Sequence, residues 1–157
     1  MDKSLSDLEQ LEAAINNLVR LIKRPIYWEK MQNEANIKID RLSASILSVL
    51  YQKNCVFQTL VEKVGIEAPS VSRKVHELEN HGLIIRKSNT DARVHDLYLS
   101  HEGQVTAQKI IKAKRTIMSR VLSSWSESEK KQLINVISKL SEDMSHQFEE
   151  NNTNHIN

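Results

Sequence analysis

Ser70, Ser72 and Arg73 stand together in Pro69-Ser-Val-Ser-Arg73, and Asp91-Ala-Arg93 follows in a polar stretch further along the chain. An arginine at the start of a helix can hold O6 and N7 of guanine in a bidentate grip, and serine hydroxyls reach phosphate or base edges. The helix N-terminus adds backbone N–H groups that favour phosphate. Arg93, four residues past Asn89, has the reach to enter a narrow minor groove, where negative potential is strongest. Asp91 can pair with it and fix its direction. That pairing concerns orientation, because an exposed ion pair contributes only ~0–1 kcal/mol. Lys74, His76 and Lys87 complete the candidate DNA-contacting set.

Charge supports one anionic contact face. The net charge is +2, from 22 Lys/Arg against 20 Asp/Glu. Between Lys63 and Arg93 lie six bases (Lys63, Arg73, Lys74, Arg86, Lys87, Arg93) and four acids (Glu67, Glu77, Glu79, Asp91), an excess equal to the whole net charge. A local excess on a neutral background suits a single nucleic-acid-facing surface.

The elements that must position these residues are mostly helical, since only three Gly and two Pro punctuate 157 residues. Leu8, Leu11, Ile15, Leu18 and Ile22 recur at spacings of 3 and 4, which predicts a long helix from Ser4, its cap, to about residue 35. Pro25 breaks or kinks it near Lys23–Arg24. A second helix is expected from Ser43, as N-cap, to Tyr51. Another runs from about Gln58 to Val64 and stops at Gly65, a left-handed C-terminal residue. Pro69 opens the next helix, which buries Val71, Val75 and Leu78 and turns Ser72, Arg73 and His76 the opposite way. Ile84–Ser88 and His95–Ser100 read as strands joined by a polar tip. Ser100 caps a long helix to about Ser124, with one stripe of Ile110, Ile117 and Val121 beside a second of Ile111, Met118, Leu122 and Trp125. Ser126-Glu-Ser-Glu129 is a capping box for a last helix carrying Leu133, Ile137, Leu140, Met144 and Phe148.

The expected fold is therefore mostly α with a minor β part. It is a winged helix-turn-helix with long N- and C-terminal dimerisation helices and a two-stranded wing. Residues 1–36 form the N-terminal dimerisation helix, 40–100 the DNA-binding domain, 101–150 the C-terminal dimerisation helices and 151–157 a disordered tail. The apolar seams of the terminal helices exceed what a small central module can cover, and a homodimer buries them.

On these residues the chain resembles the MarR (multiple antibiotic resistance regulator) family of winged-helix transcription factors. The resemblance rests on Leu42-Ser43 with Val49-Leu50, on Ser72-Arg73 with Leu78 and Gly82-Leu83-Ile84, and above all on Asp91-x-Arg93 followed by Leu97-x-Leu99-Ser100-x-x-Gly103. It implies an obligate homodimer on a pseudo-palindromic operator and, usually, repression relieved by a ligand or oxidant. Val94 departs from the second basic residue the family often carries after the wing arginine.

For a signal, Tyr27, Trp28, Met31 and Tyr51 are the candidate effector-pocket residues, for a small amphipathic or phenolic ligand of the kind family members bind. Packing of the core or of a dimer is the rival reading for each. Cys55, the single cysteine, reads as a buried inert thiol beside Val56 and Phe57. The six histidines and one cysteine form no zinc motif, so neither metal nor cofactor is expected. No apolar run approaches the ~18 residues of a membrane span. No signal-peptide core opens the chain, which points to the cytoplasm without a membrane partner. No phosphate loop, nucleophile elbow or catalytic carboxylate pair suggests an enzyme. The leading expectation is a sequence-specific, effector-relieved repressor. The alternatives are an architectural regulator of AT-rich DNA and a protein-interaction module on the same fold.

Overall fold

A computed structural model describes residues 3–88 and 95–153. The chain forms two compact units, Met1–Ile117 and Met118–Asn157. Among the described residues there are seven helices and one small antiparallel sheet, in the order α1 (Lys3–Lys23), α2 (Pro25–Ala35), α3 (Arg41–Gln52), β1 (Cys55–Val56), α4 (Phe57–Val64), α5 (Ala68–Asn80), β2 (Ile84–Ser88), β3 (His95–Leu99), α6 (His101–Val121) and α7 (Glu127–Thr153). No helix among them is long and apolar enough to cross a membrane.

The expected break at Pro25 separates α1 from α2. Arg24 is extended (φ −60°, ψ 141°) and Pro25 opens α2, as the restriction on a residue before proline demands. Arg41 secures the junction. Its guanidinium donates to the carbonyls of Ile22 (3.0 Å) and Lys23 (3.1 Å) in the last turn of α1, and to that of Arg24 (2.8 Å), which also accepts from the Tyr27 N–H (3.1 Å). The same guanidinium lies 5.3 Å from the centroid of the Trp28 ring. At the other end of α2, Asn36 adopts a left-handed conformation (φ 51°) and its N–H returns to Asn33.

The α3 N-cap is Asp40 rather than the expected Ser43. The Asp40 carboxylate accepts from the Ser43 N–H at 2.9 Å and from Ser43 Oγ at 2.6 Å. Three residues into the structure from its cap, Ser43 is buried, and its hydroxyl therefore turns back to the carboxylate.

The core of the first unit gathers Met31 and Ala35 of α2, Ile46, Leu47 and Leu50 of α3, Leu60 of α4, Val71, Val75 and Leu78 of α5, Ile84, Leu97 and Leu99 of the sheet, and Ala107, Ile110 and Ala113 of α6. The expected α6 stripes are corrected here. Its buried face is Gly103, Ala107, Ile110 and Ala113, while Met118 and Val121 are exposed. Small side chains bring this helix close to its neighbours. A Cβ on Gly103 would lie 2.0 Å from the Leu83 carbonyl oxygen. Ser100 fixes the approach, since its Oγ donates to Gly82 O (2.6 Å) and accepts from Gly103 N (2.9 Å), while its N–H donates to Leu83 O (3.0 Å).

The sheet order is β1-β3-β2. The wing therefore has a third strand beyond the two expected: β1 pairs Cys55 with Leu97 and Val56 with Asp96. Cys55 is half-buried, and burial pushes its thiol above the ordinary value. Lys63 opposes that shift and Asp96 adds to it.

In the second unit, the Ser126–Glu129 capping box opens α7 as expected. Glu129 Oε2 accepts from Ser126 N at 2.7 Å, and Ser126 Oγ accepts from Glu129 N at 3.3 Å. The helix extends through Thr153, into the segment expected as tail. Apolar Leu8, Leu11, Ile15 and Leu18 of α1 are exposed, as are Ile134, Ile137 and Met144 of α7.

Candidate nucleic-acid interface

The turn between α4 and α5 is built on Gly65, whose φ of +67° is a left-handed conformation and whose N–H closes on Val61 O at 2.9 Å. That conformation ends α4 and lets the chain reverse into α5. Pro69 lies in the first turn of α5, which begins at Ala68, one residue ahead of the expected start. Val71, Val75 and Leu78 are buried beneath this helix. Ser72, Arg73 and His76 are exposed on it, at positions three and four apart that share one face.

Ser70 is half-buried at the helix entrance. Its hydroxyl donates to Glu67 Oε1 at 2.7 Å and accepts from Arg73 Nη2 at 3.3 Å. This places Arg73 at the N-terminal end, where a recognition helix meets base edges. Glu67 at the same end is an acid that the motif reading left unplaced. Its carboxylate orients Ser70, and through it Arg73.

Lys74 behaves otherwise. Its ammonium is held by Glu77 on its own helix and by Asp40 of α3, 3.3 Å away. It joins the α5 helix to the α3 N-cap, so a phosphate contact would have to draw it from two carboxylates. The Glu77 bond raises the Lys74 pKa against the opposing effect of burial, and Asp40 raises it further. Burial of Asp40 alone would raise its carboxyl pKa. The Ser43 hydrogen bonds and Lys74 outweigh that effect and bring it below the ordinary 3.8. Arg86 is likewise committed, with Nε 2.5 Å and Nη2 3.2 Å from the Glu79 carboxylate oxygens, a two-point link between β2 and α5. Neither pairing follows from sequence spacing, because one partner of each lies on a different element.

Lys87 of β2 is exposed, with Nζ 4.9 Å from the centroid of the Tyr98 ring. That contact supports the long side chain along the strand pair. Asp91 and Arg93 lie outside the described residues.

The four effector-pocket candidates do not converge. Met31 is fully buried and belongs to the core cluster, where its apolar side chain packs among the other buried residues. Trp28 is half-buried and lines a cleft of 840 Å³ with Gln32, Asp40, Glu77 and Leu83 among others. Its indole N–H donates to Ile39 O at 3.0 Å. Tyr51 lines two smaller clefts, of 400 and 360 Å³, at the C-terminal end of α3. Tyr27 is half-buried on α2. In the 400 Å³ cleft, Lys114 donates to Ser48 Oγ at 3.1 Å, and burial lowers its pKa. Among the described residues no group of three or more His, Cys, Asp and Glu could hold a metal ion.

The Asp40 result carries a pH prediction. Its folded-state pKa lies below the unfolded value, so its contribution to stability is full above the unfolded value and is lost as pH falls through the folded one. Thermal unfolding of the protein and of Asp40→Asn should therefore show a Tm gap at pH 7 that narrows below about pH 4. A gap unchanged at pH 3 would remove Asp40 as the charged cap.

A helix-turn-helix with a strand pair behind it, and an arginine exposed at the start of the second helix, defines a winged helix-turn-helix protein. Residues 39–95 match the MarR family. The chain is 32% identical over 84 residues to the HTH-type transcriptional repressor MdtR of Bacillus subtilis (strain 168), a match of 53% of this chain and 54% of that protein. It thus spans about half the length of this relative. A MarR family protein from Bacillus stearothermophilus superposes with a TM-score of 0.70 at 20% identity, over 87% of this chain and 97% of the other. S. aureus MepR in its DNA-binding conformation gives 0.69 at 20% identity, over 83% and 98%. The match to the MarR family thus covers the central part of the chain, and the chain as a whole has the fold of these winged-helix structures.

Proposed function

We propose that this protein is a sequence-specific DNA-binding repressor acting as a homodimer on a pseudo-palindromic operator, and that a small-molecule effector relieves the repression. The observation that carries the reading is the exposed Ser72–Arg73–His76 face of α5, opposite the buried Val71, Val75 and Leu78. In this reading α5 lies in the major groove and Arg73 reads a base, with Ser70 and Ser72 at the helix entrance. Lys87 and the Asp91–Arg93 segment contact the backbone and minor groove.

The repressor MdtR and the DNA-binding conformation of MepR support the same reading by analogy. The exposed apolar residues of α1 and of α7 support a second copy as their cover, because seams of this length left in water favour association. Residues 1–36 and 101–150 are then the dimerisation segments and 40–100 the DNA-binding domain, in a cytoplasmic regulator without catalytic activity.

Fluorescence anisotropy on DNA from the gene's own upstream region, against a scrambled duplex of equal length at near-physiological salt, tests this. Much tighter binding to the upstream DNA is expected. Arg73→Ala should cost about 1–3 kcal/mol on that DNA and far less on the scrambled duplex. An equal loss on both would reduce Arg73 to a phosphate contact. Equal wild-type binding to both would favour an architectural role, and absence of binding a protein-interaction module.

A further inference from the structure

The 840 Å³ cleft adjoins α5 and is not neutral. Trp28, Ile37, Ile39, Leu78 and Leu83 give it apolar walls, and Asp40 and Glu77 line it as well. The indole of Trp28 is fixed by its bond to Ile39 O, so one wall is a fixed aromatic surface. The two carboxylates come from different helices yet converge on a single atom, Lys74 Nζ. They already form a seat for one positive charge at the edge of an apolar cleft. Lys38 and His81 also line the cleft, both with exposed side chains.

We propose that this cleft binds an organic cation with an aromatic or bulky apolar body, whose charge replaces the Lys74 ammonium between Asp40 and Glu77. Exchange is feasible because the pairs to be replaced are weak: the Asp40 and Glu77 side chains are 51% and 54% exposed, and such pairs are heavily screened. The ligand's apolar body, by contrast, leaves water for a wall of Trp, Ile and Leu. An anion of the same shape would meet both carboxylates.

Binding would also have a readout on α5. Lys74 is the residue after Arg73, and its ion pair to Asp40 joins this helix to the start of α3. A cation that takes its place releases that tie. This consequence, unlike the binding itself, rests on the DNA-reading role proposed above for α5.

The test is made on the full chain without DNA. The two tryptophans are Trp28 and Trp125, so Trp125→Phe leaves Trp28 as the reporter. Tetraphenylphosphonium should quench its fluorescence saturably, and tetraphenylborate, of the same shape and opposite charge, should not. Glu77→Gln should weaken phosphonium binding about tenfold, the equivalent of ~1.4 kcal/mol, while Lys74→Gln, which removes the internal competitor, should tighten it. A variant that merely perturbs the fold cannot produce these opposite signs. Equal responses to phosphonium and borate, or shifts of both variants in the same direction, would overturn the site. A failure of Arg73→Ala to alter DNA binding would remove the role of α5 but leave the phosphonium titration standing, so the two readings fail separately.

Discussion

Gly103→Ala should cost roughly 3–5 kcal/mol, a large share of the ~5–15 kcal/mol that holds a typical domain together. The expectation runs against helix propensity, by which alanine inside a helix gains up to ~1 kcal/mol over glycine. Here the added methyl would sit 2.0 Å from the Leu83 carbonyl oxygen and 3.0 Å from its carbon. Both are backbone atoms, so no rotamer change relieves the overlap. Helix α6 must move away from Gly82–Leu83, and that breaks the two bonds by which Ser100 holds these residues. Gly65→Ala is the informative comparison. Nothing lies within 4 Å of its Cβ position, so only the left-handed backbone is penalised, by about 1–2 kcal/mol. Urea unfolding of the two variants should separate them clearly. Equal losses would mean that α6 can shift at no cost.

Arg41→Ala should destabilise by roughly 1–3 kcal/mol, the scale of hydrogen bonds to a charged group. The loss should be concentrated at the end of α1. The carbonyls of Ile22, Lys23 and Arg24 lose this donor together, Arg24 keeping only the Tyr27 N–H, and the favourable cation at a helix C-terminus disappears with it. Hydrogen–deuterium exchange should rise in the last turn of α1 and around Pro25, while α4 and α5 stay protected. Arg41→Lys should recover little, since one ammonium cannot reproduce a planar fork that serves three acceptors and lies over an indole. Full recovery by lysine would show that charge alone secures the junction.

The comparison of sequence with structure follows the same physical line. Features fixed by neighbours within one turn were legible: the Pro25 break, the Gly65 reversal, the Ser126–Glu129 box, and the division of α5 into Val71, Val75 and Leu78 against Ser72, Arg73 and His76. Interactions that only tertiary proximity creates were not. Arg41 acts on carbonyls 17 to 19 residues earlier. Arg86 finds Glu79 across the end of a helix, and Lys74 finds Asp40 across two elements, so a tally of local charge overstated what remains for an anion. The buried face of α6 escaped because glycine and alanine do not register as an apolar stripe, although their small size is what admits the helix. Ser43 was favoured as a cap by residue type. Asp40, equally suited to the position and three residues ahead, left it the inward place.

The sheet order has a consequence for how the molecule behaves when alone. With β3 in the centre, one edge is covered by only two residues of β1, and β2 forms the other edge. An open strand edge is a template on which further chains can add and grow into aggregates. Exposed Lys87 lies on β2, while the Arg86 charge beside it is offset by Glu79, and an incoming copy paired in register at this position brings a second Lys87 ammonium toward the first. The lysine that furnishes a cation to the wing thus also guards this edge against self-propagating assembly.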